Sequence, residues 1–368
     1  MQALMKVSRV MCAMLISIAS VAAQGPGSVP GGGVATPGNG NGLAIRGPVV
    51  HSGFGAIDMT WVPLSPTNLL VVDVSGIAQY YDAALNPTQT IPVPGRTAVI
   101  TGVAYNPNNA HLYWYDPSGV GALYETAIDG TPLQSNLMLK PTPGTLAGMT
   151  VDPTTNTLWI QNISNDVFYE FTLAGVATGN SASNPGGSPT YGMGLALDTT
   201  RGQRLVTHGS VAGGRATEIT ALDPTGSATA LSFSIAAYGT FVTGISYSPA
   251  GSDGDPSVYI YDNGSNTIWE IDLPACFIRG DCNGDGVNDL ADVIFMLSLL
   301  FAGGVVSSCD AACDSNSDGL MNLGDVIYAL THLFAMGPPP AAPYPGCGID
   351  PTGALPCGFA AGCPSSCP

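Results

Sequence analysis

Two short stretches near the carboxyl end concentrate hard oxygen donors. The stretch "DCNGDGVNDLAD" sets Asp281, Asn283 and Asp285 on alternate positions, then Gly286, then Asp289 and Asp292. A second stretch, "DSNSDGLMNLGD", begins 33 residues later and repeats the pattern with Asp314, Asn316, Asp318, Gly319, Asn322 and Asp325. Side chains at the first, third and fifth places of a tight loop converge on one point, and glycine in sixth place permits the sharp turn. The seventh residue, Val287 or Leu320, offers its backbone carbonyl, and the twelfth closes the cage. Six to eight flexible oxygen ligands suit calcium, so the spacing predicts two calcium ions. The competing reading is an Asx-rich turn without metal, and two copies in register argue against it. Between Asp281 and Asp325 stand eight aspartates and no lysine or arginine.

The elements that must hold these loops follow at once. Each loop runs into an apolar segment, "DVIFMLSLLFAGG" or "DVIYALTHLFAMG", which reads as a helix opened by the twelfth residue and ended at glycine. This duplicated loop-helix, with Asp in twelfth place, resembles a type I dockerin over residues 279–338. The phrases "RGDCNGDG", "CDSNSDG" and "GPPPAAPYPGCGIDPTG" resemble the cysteine-containing, planctomycete-type members. The resemblance implies a module that binds two calcium ions and docks into a cohesin-like protein, often in polysaccharide-degrading assemblies. It carries the metal roles onto the loop residues named above. Clostridial-type members often place Ser-Thr at the tenth and eleventh positions; here stand Leu290-Ala291 and Leu323-Gly324.

The chain has 368 residues, room for two domains. Lys6 and Arg9, the apolar run "VMCAMLISIASVAA" and small residues at 21–23 read as a secretory signal over residues 1–23. The run is short for a membrane anchor, and no later segment is long and apolar enough to span. Without Lys6 and Arg9, seven basic residues face 26 acidic ones, a net charge near −19 that speaks against nucleic acid as partner. Eight of the nine cysteines lie between Cys276 and Cys367. In an exported chain an even count reads as disulfides rather than zinc, since paired CxxC spacing is missing and histidine is scarce. Their pairing is left open. Residues 24–45 are a Gly/Pro linker by composition.

From there to Leu273 the sequence repeats. Units begin at Ala56, Gly102, Gly148, Gly194 and Gly244, separated by 46, 46, 46 and 50 residues. Each opens with a small-apolar strand ("GVAY", "GLAL"), turns through Pro, Asp and Asn, continues as an alternating strand ("HLYWYD", "TLWIQN"), and adds a third and a weaker fourth strand. Such a period is the mark of a β-propeller. The last unit stops before its fourth strand, which "GPVVHSGFG" from Gly47 is placed to supply. The expectation is an all-β propeller over 46–273, five blades with six as the alternative. A small helical calcium module follows over 276–340, then a Cys/Pro-rich tail over 341–368. The repeats resemble NHL- and YVTN-like propellers, which implies a scaffold, a binding protein, or a lactonase or lyase.

Catalytic residues are hard to find. The histidines in the ring are His51, His111 and His208; Asp58, Asp152 and Asp198 recur near unit openings, where turn capping competes with a role on the axis. Trp114, Tyr115, Trp159 and Trp269 either stack on sugars or pack between blades. The favoured reading is a secreted, non-catalytic binding or scaffold protein. Its propeller binds an unknown ligand, with carbohydrate as a candidate, and its calcium module docks to a cohesin-like or cell-surface partner. The rival is a carbohydrate-active propeller hydrolase or lyase tethered by the same module.

Overall fold

The structure is a computed structural model. It describes residues 44–51, 55–64, 67–73, 76–94, 100–117, 121–137, 144–185, 194–209, 218–239, 241–252, 256–273, 276–349, 355, 357 and 363. The expected signal (1–23) and all of the linker before Ala44 lie outside the described residues.

Strand β1 (Ala44–Val50) is followed by four complete antiparallel meanders. Blade one holds β2 (Ala56–Leu64), β3 (Thr67–Asp73), β4 (Ile77–Tyr81) and β5 (Pro87–Pro92). Blade two holds β6 (Gly102–Asn106), β7 (His111–Asp116), β8 (Ala122–Ala127) and β9 (Pro132–Leu137). Blade three holds β10 (Leu146–Asp152), β11 (Thr157–Asn162), β12 (Val167–Thr172) and β13 (Ala177–Ser183). Blade four holds β14 (Leu195–Asp198), β15 (Gln203–His208), β16 (Glu218–Leu222) and β17 (Ala228–Ser234). Blade five has three strands in sequence, β18 (Val242–Ser248), β19 (Ser257–Asp262) and β20 (Thr267–Asp272), and takes β1 as its outer strand. There are five blades, not six. Ala44 and Ile45, which composition assigns to the linker, already belong to the closing strand.

Burial falls from the axis outward, and the sequence pattern follows it. β18 and β19 are buried along their whole length, whereas β5 and β13 are almost wholly exposed. Second strands are covered on both faces. In β3, Leu70 and Val72 pack toward blade two, and Leu69 and Val71 toward blade five. The same alternation sends Trp114 toward blade one and Tyr115 toward blade three. Aromatic side chains here fill gaps between blades, where each contributes a large apolar area. Glycine opens inner strands because the blades crowd at the axis: a Cβ on Gly194 would come 2.6 Å from a methyl of Ile245 in the next blade.

Ring closure is made by strand pairing between β1 and β20. Val49 pairs with Ile268, and Val50 with Thr267. The Arg46 guanidinium lies 3.6 Å from the fully buried Glu270 carboxylate, offsetting a charge that would otherwise be costly in the interior. Past the strand, the His51 N–H donates to the Asn266 carbonyl, and the Asn266 amide returns a bond to the His51 carbonyl, both at 3.0 Å.

Helices α1 (Leu290–Ala302), α2 (Asp310–Cys313) and α3 (Leu323–Ala335) follow, together with a two-stranded pair, β21 (Cys276–Phe277) and β22 (Gly348–Ile349). Val293 and Met296 of α1 meet Val326 and Ala329 of α3 in a small core with Cys282 and Cys313. Disulfides join Cys282 to Cys313, Cys309 to Cys357, and Cys347 to Cys363. The segment assigned to the tail is therefore tied into the helical region, and Tyr344 donates to or accepts from His332 of α3 at 3.0 Å. α1 ends in a left-handed Gly303 as expected, but α3 does not end at glycine. Its left-handed cap is Met336, fully exposed, one residue before Gly337. Among the described residues, no helix is long and apolar enough to cross a membrane.

Candidate functional site

The two acidic stretches fold alike, bond for bond. In the first, Asp281 accepts from the N–H groups of Asp285 (3.0 Å) and Gly286 (2.9 Å); in the second, Asp314 accepts from Asp318 (3.1 Å) and Gly319 (3.0 Å). Asn283 and Asn316 each accept from the residue two ahead at 2.9 Å, and Asp285 and Asp318 accept from Val287 and Leu320, also at 2.9 Å. One oxygen of the closing aspartate reaches back across the loop: Asn283 N–H to Asp292 is 3.1 Å, and Asn316 N–H to Asp325 is 3.3 Å. Its other oxygen takes the N–H of Asp289 (2.8 Å) or Asn322 (2.9 Å). That completes a capping box, so Asp289 and Asn322 cap α1 and α3 through their own side-chain oxygens. The closing residue therefore lies in the first helical turn rather than ahead of it.

Charge is stored in both loops. Burial, with the neighbouring carboxylates adding to it, pushes Asp292 and Asp325 up to about 6 against the pull of the loop N–H bonds. Asp281 is raised by burial as well. The perturbing neighbours are Asp281 and Asp285 in one loop, Asp314 and Asp318 in the other. The first, fifth and twelfth positions are thus within electrostatic reach of one another. The donor set is all oxygen, from carboxylates, amides and the seventh carbonyl, and fits a hard dication that would relieve this repulsion. The carboxylates are turned onto loop amides, and among the described residues no three His, Cys, Asp or Glu side chains form a metal-holding group.

The loops differ in one respect. Arg279 is wholly buried and donates to the carbonyls of Ala311 (3.0 Å), Asp314 (2.9 Å) and Ala342 (3.0 Å). Its guanidinium lies 3.9 Å from the Asp314 carboxylate, so among the described residues only the second loop has a cation beside its first ligand position.

Outward from the loops runs a duplicated apolar face. Val287, Leu290, Ile294 and Phe301 are exposed, and so are their counterparts 33 residues on, Leu320, Leu323, Ile327 and Phe334. Exposed apolar patches of this kind mark interaction surfaces.

A second site lies on the propeller axis. The innermost strands of all five blades line a cup of about 180 Å³. Pro63 inside β2, and Pro107, Pro153 and Pro249 directly after β6, β10 and β18, lie in its lining. Met59 and Met149 lie in its lining, and the Asp58 carboxylate crosses the axis beside them. One Asp58 oxygen accepts from Val103 N–H of blade two (2.9 Å) and Met149 N–H of blade three (3.1 Å). The other oxygen has no hydrogen-bond partner in the structure, and burial drives the Asp58 carboxyl well above its ordinary value.

Other residues singled out in the sequence do not meet. Asp152 and Asp198 are turn aspartates, accepting from Thr154 and Thr200 N–H groups at 2.9 Å; Asp198 also holds Arg201 at 2.8 Å. Asp58 is not their equivalent, being two residues inside a strand. His51 lies in the closure seam against the Tyr81 hydroxyl (2.5 Å), His111 bonds Glu125 (2.6 Å), and His208 bonds Thr220 (2.7 Å). Trp114 is buried and donates to Thr126, Tyr115 is buried in the same way, Trp159 lies under the Arg204 guanidinium at 4.0 Å, and Trp269 packs against Tyr238. None of the four lines the cup. The aromatics that do are Trp61, Tyr105 and Tyr247, which the sequence reading passed over. The proline directly after the first strand of blades two, three and five was the signal that marked the rim.

Fold and axis together define a closed five-bladed β-propeller with a disulfide-tied helical appendage. No family model matches the chain, and no curated protein matches it in sequence. Among solved structures it is similar to one described as a nidogen/laminin complex, at 18% identity and a TM-score of 0.41, over 59% of this chain and 76% of that one. Another is described as a mitotic checkpoint complex, at 13% identity and a TM-score of 0.36, over 58% and 62%. At these values neither likeness bears on function.

Proposed function

We propose that this chain is a secreted, non-catalytic binding protein whose carboxyl-terminal module takes up two calcium ions and docks to a protein partner, a cohesin-like module being the kind its loop pattern suggests. The observation that carries this reading is the duplication. Two loops repeat each other's hydrogen bonds, and each is followed by the same exposed apolar positions on its helix. Asp281, Asn283, Asp285, Val287, Asp289 and Asp292 would hold one ion, and Asp314, Asn316, Asp318, Leu320, Asn322 and Asp325 the other. Asp289 would do so through the carboxylate oxygen not spent on helix capping, whereas the single side-chain oxygen of Asn322 would serve both the ion and the Gly324 N–H. Calcium would supply positive charge at the centre of each ring of carboxylates; the chain's own residues shape the loops and keep the helix caps closed. The propeller is the binding surface that this module would tether.

The test is calorimetry of the full mature chain with calcium, followed by binding to immobilised cohesin modules with calcium and with chelator. Two calcium equivalents are expected, with docking lost on chelation and weakened at least tenfold by Ile294→Asp with Ile327→Asp. Absence of calcium uptake refutes the reading.

A further inference from the structure

The cup on the propeller axis is a chemical environment that docking does not use. Among the described residues, its lining carries no Asp, Glu, Lys, Arg or His side chain, although the chain as a whole has a formal net charge of −17. An anion entering it would meet a repulsive surround and no cation, and the carboxyl nearest a cation would be Asp58, which is buried beside Met59 and Met149 and is not itself part of the lining. The occupant that fits is neutral.

Its walls then narrow the class. Trp61, Tyr105 and Tyr247 share the lining with Thr60, Thr150 and Ser246. The Thr60 hydroxyl oxygen already accepts from the Tyr105 N–H at 3.1 Å, which leaves its O–H to donate. Aromatic surface beside hydroxyls matches a sugar ring, which shows C–H groups on one face and hydroxyls at its edge. A volume of about 180 Å³ is below the roughly 300 Å³ at which drug-sized pockets begin, and holds one ring rather than several. The axis is also blocked. Asp58 of blade one is tied to the backbones of Val103 on blade two and Met149 on blade three, so its carboxyl group lies across the axis. A chain cannot thread through, so only an end enters.

The geometry points to a cup that takes the terminal sugar of a neutral glycan. This deepens the reading of the propeller as a binding surface and rests on it. So small a cup, using one ring's worth of contact, gives a dissociation constant of roughly millimolar.

The experiment is saturation-transfer NMR on the full mature chain with the methyl glycosides of glucose, galactose, mannose and xylose. Glucuronic acid and glucosamine serve as charged comparators, and every titration is run with calcium and with chelator. At least one neutral glycoside is expected to bind in both conditions. Trp61→Ala should weaken it about tenfold. Because Trp61 also stacks on Tyr259 with ring centroids 5.3 Å apart, that variant alone is not decisive. Thr150→Val, which exchanges a half-buried hydroxyl for a methyl, should weaken binding several-fold with unchanged melting. The inference is overturned if no neutral glycoside binds at about 50 mM, if Thr150→Val leaves the affinity unmoved, or if the charged sugars bind as tightly. Sugar binding without calcium uptake would sink the docking reading alone, and calcium uptake without sugar binding would sink this inference alone.

Discussion

Asp58 offers the sharpest test of how the propeller holds its axis. It is 1% exposed and is the one acceptor for N–H groups of Val103 and Met149 on two other blades. Asp58→Ala strands both donors in the interior, at about 1–3 kcal/mol each. Removing a desolvated carboxyl whose second oxygen lacks a partner offsets part of that loss. A net destabilisation of about 3 kcal/mol is expected, which for a domain of this size lowers the melting temperature by roughly 6–12 °C. Asp58→Asn separates the two contributions, because the amide keeps an oxygen for both donors and cannot ionise.

The sign of the pH dependence follows from the raised carboxyl. In the unfolded chain Asp58 titrates near pH 4, while the folded chain holds its proton to higher pH. Its contribution is fully present below about pH 4 and is lost as pH rises through the folded value, at up to about 1.4 kcal/mol per pH unit. The wild-type chain should therefore lose stability relative to Asp58→Asn across that interval, and at pH 7 the Asn variant should be at least as stable. Tryptophan-fluorescence melting from pH 4 to 8 at fixed calcium measures this, since other titrating groups are common to both chains and cancel. Parallel pH curves for the two, or an Asp58→Ala variant as stable as wild type, would refute the reasoning.

Three further outcomes are expected. Asp281→Ala and Asp325→Ala should each lower calcium stoichiometry from two to one by calorimetry, and on the proposed reading calcium should raise the melting temperature of the helical region, since an ion held only by the folded loops stabilises them. Breaking the Cys282–Cys313 bridge, which spans 31 residues, with paired Ser substitutions should cost about 3–4 kcal/mol by the loop-entropy relation; unchanged loss of helical circular dichroism with heating counts against it. Deleting residues 1–51 removes β1 and bares the edge of blade five, so the chain should melt earlier and aggregate; a monomer of unchanged melting temperature by light scattering contradicts the closure.

Much of this protein is local, and what is local could be read. Four strands per unit follow from alternation and turn residues within some 46 positions, and hairpin pairing joins neighbours in sequence. The acidic loops are equally local: Asp281 binds N–H groups four and five residues ahead, so twelve residues carry the whole geometry. The helix stop at Met336 was not legible, because glycine one residue later is the better left-handed former and nothing local marks the exposed Met336 as the cap.

What only the tertiary structure decided depends on residues far apart in sequence. Trp114 and Trp61 are both tryptophans in strands, yet one fills the gap between blades and the other lines the cup, because each strand's two faces acquire meaning only when the next blade arrives. Asp58 resembles Asp152 and Asp198 in sequence, but its partners lie 45 and 91 residues away, and only a closed ring brings them to one axis. Composition and periodicity specified the blades; the cup and the plug beneath it arise from ring closure, where burial from all sides sets which polar group is satisfied and which is left alone, and the disulfide pairing arises from how the carboxyl-terminal segment packs.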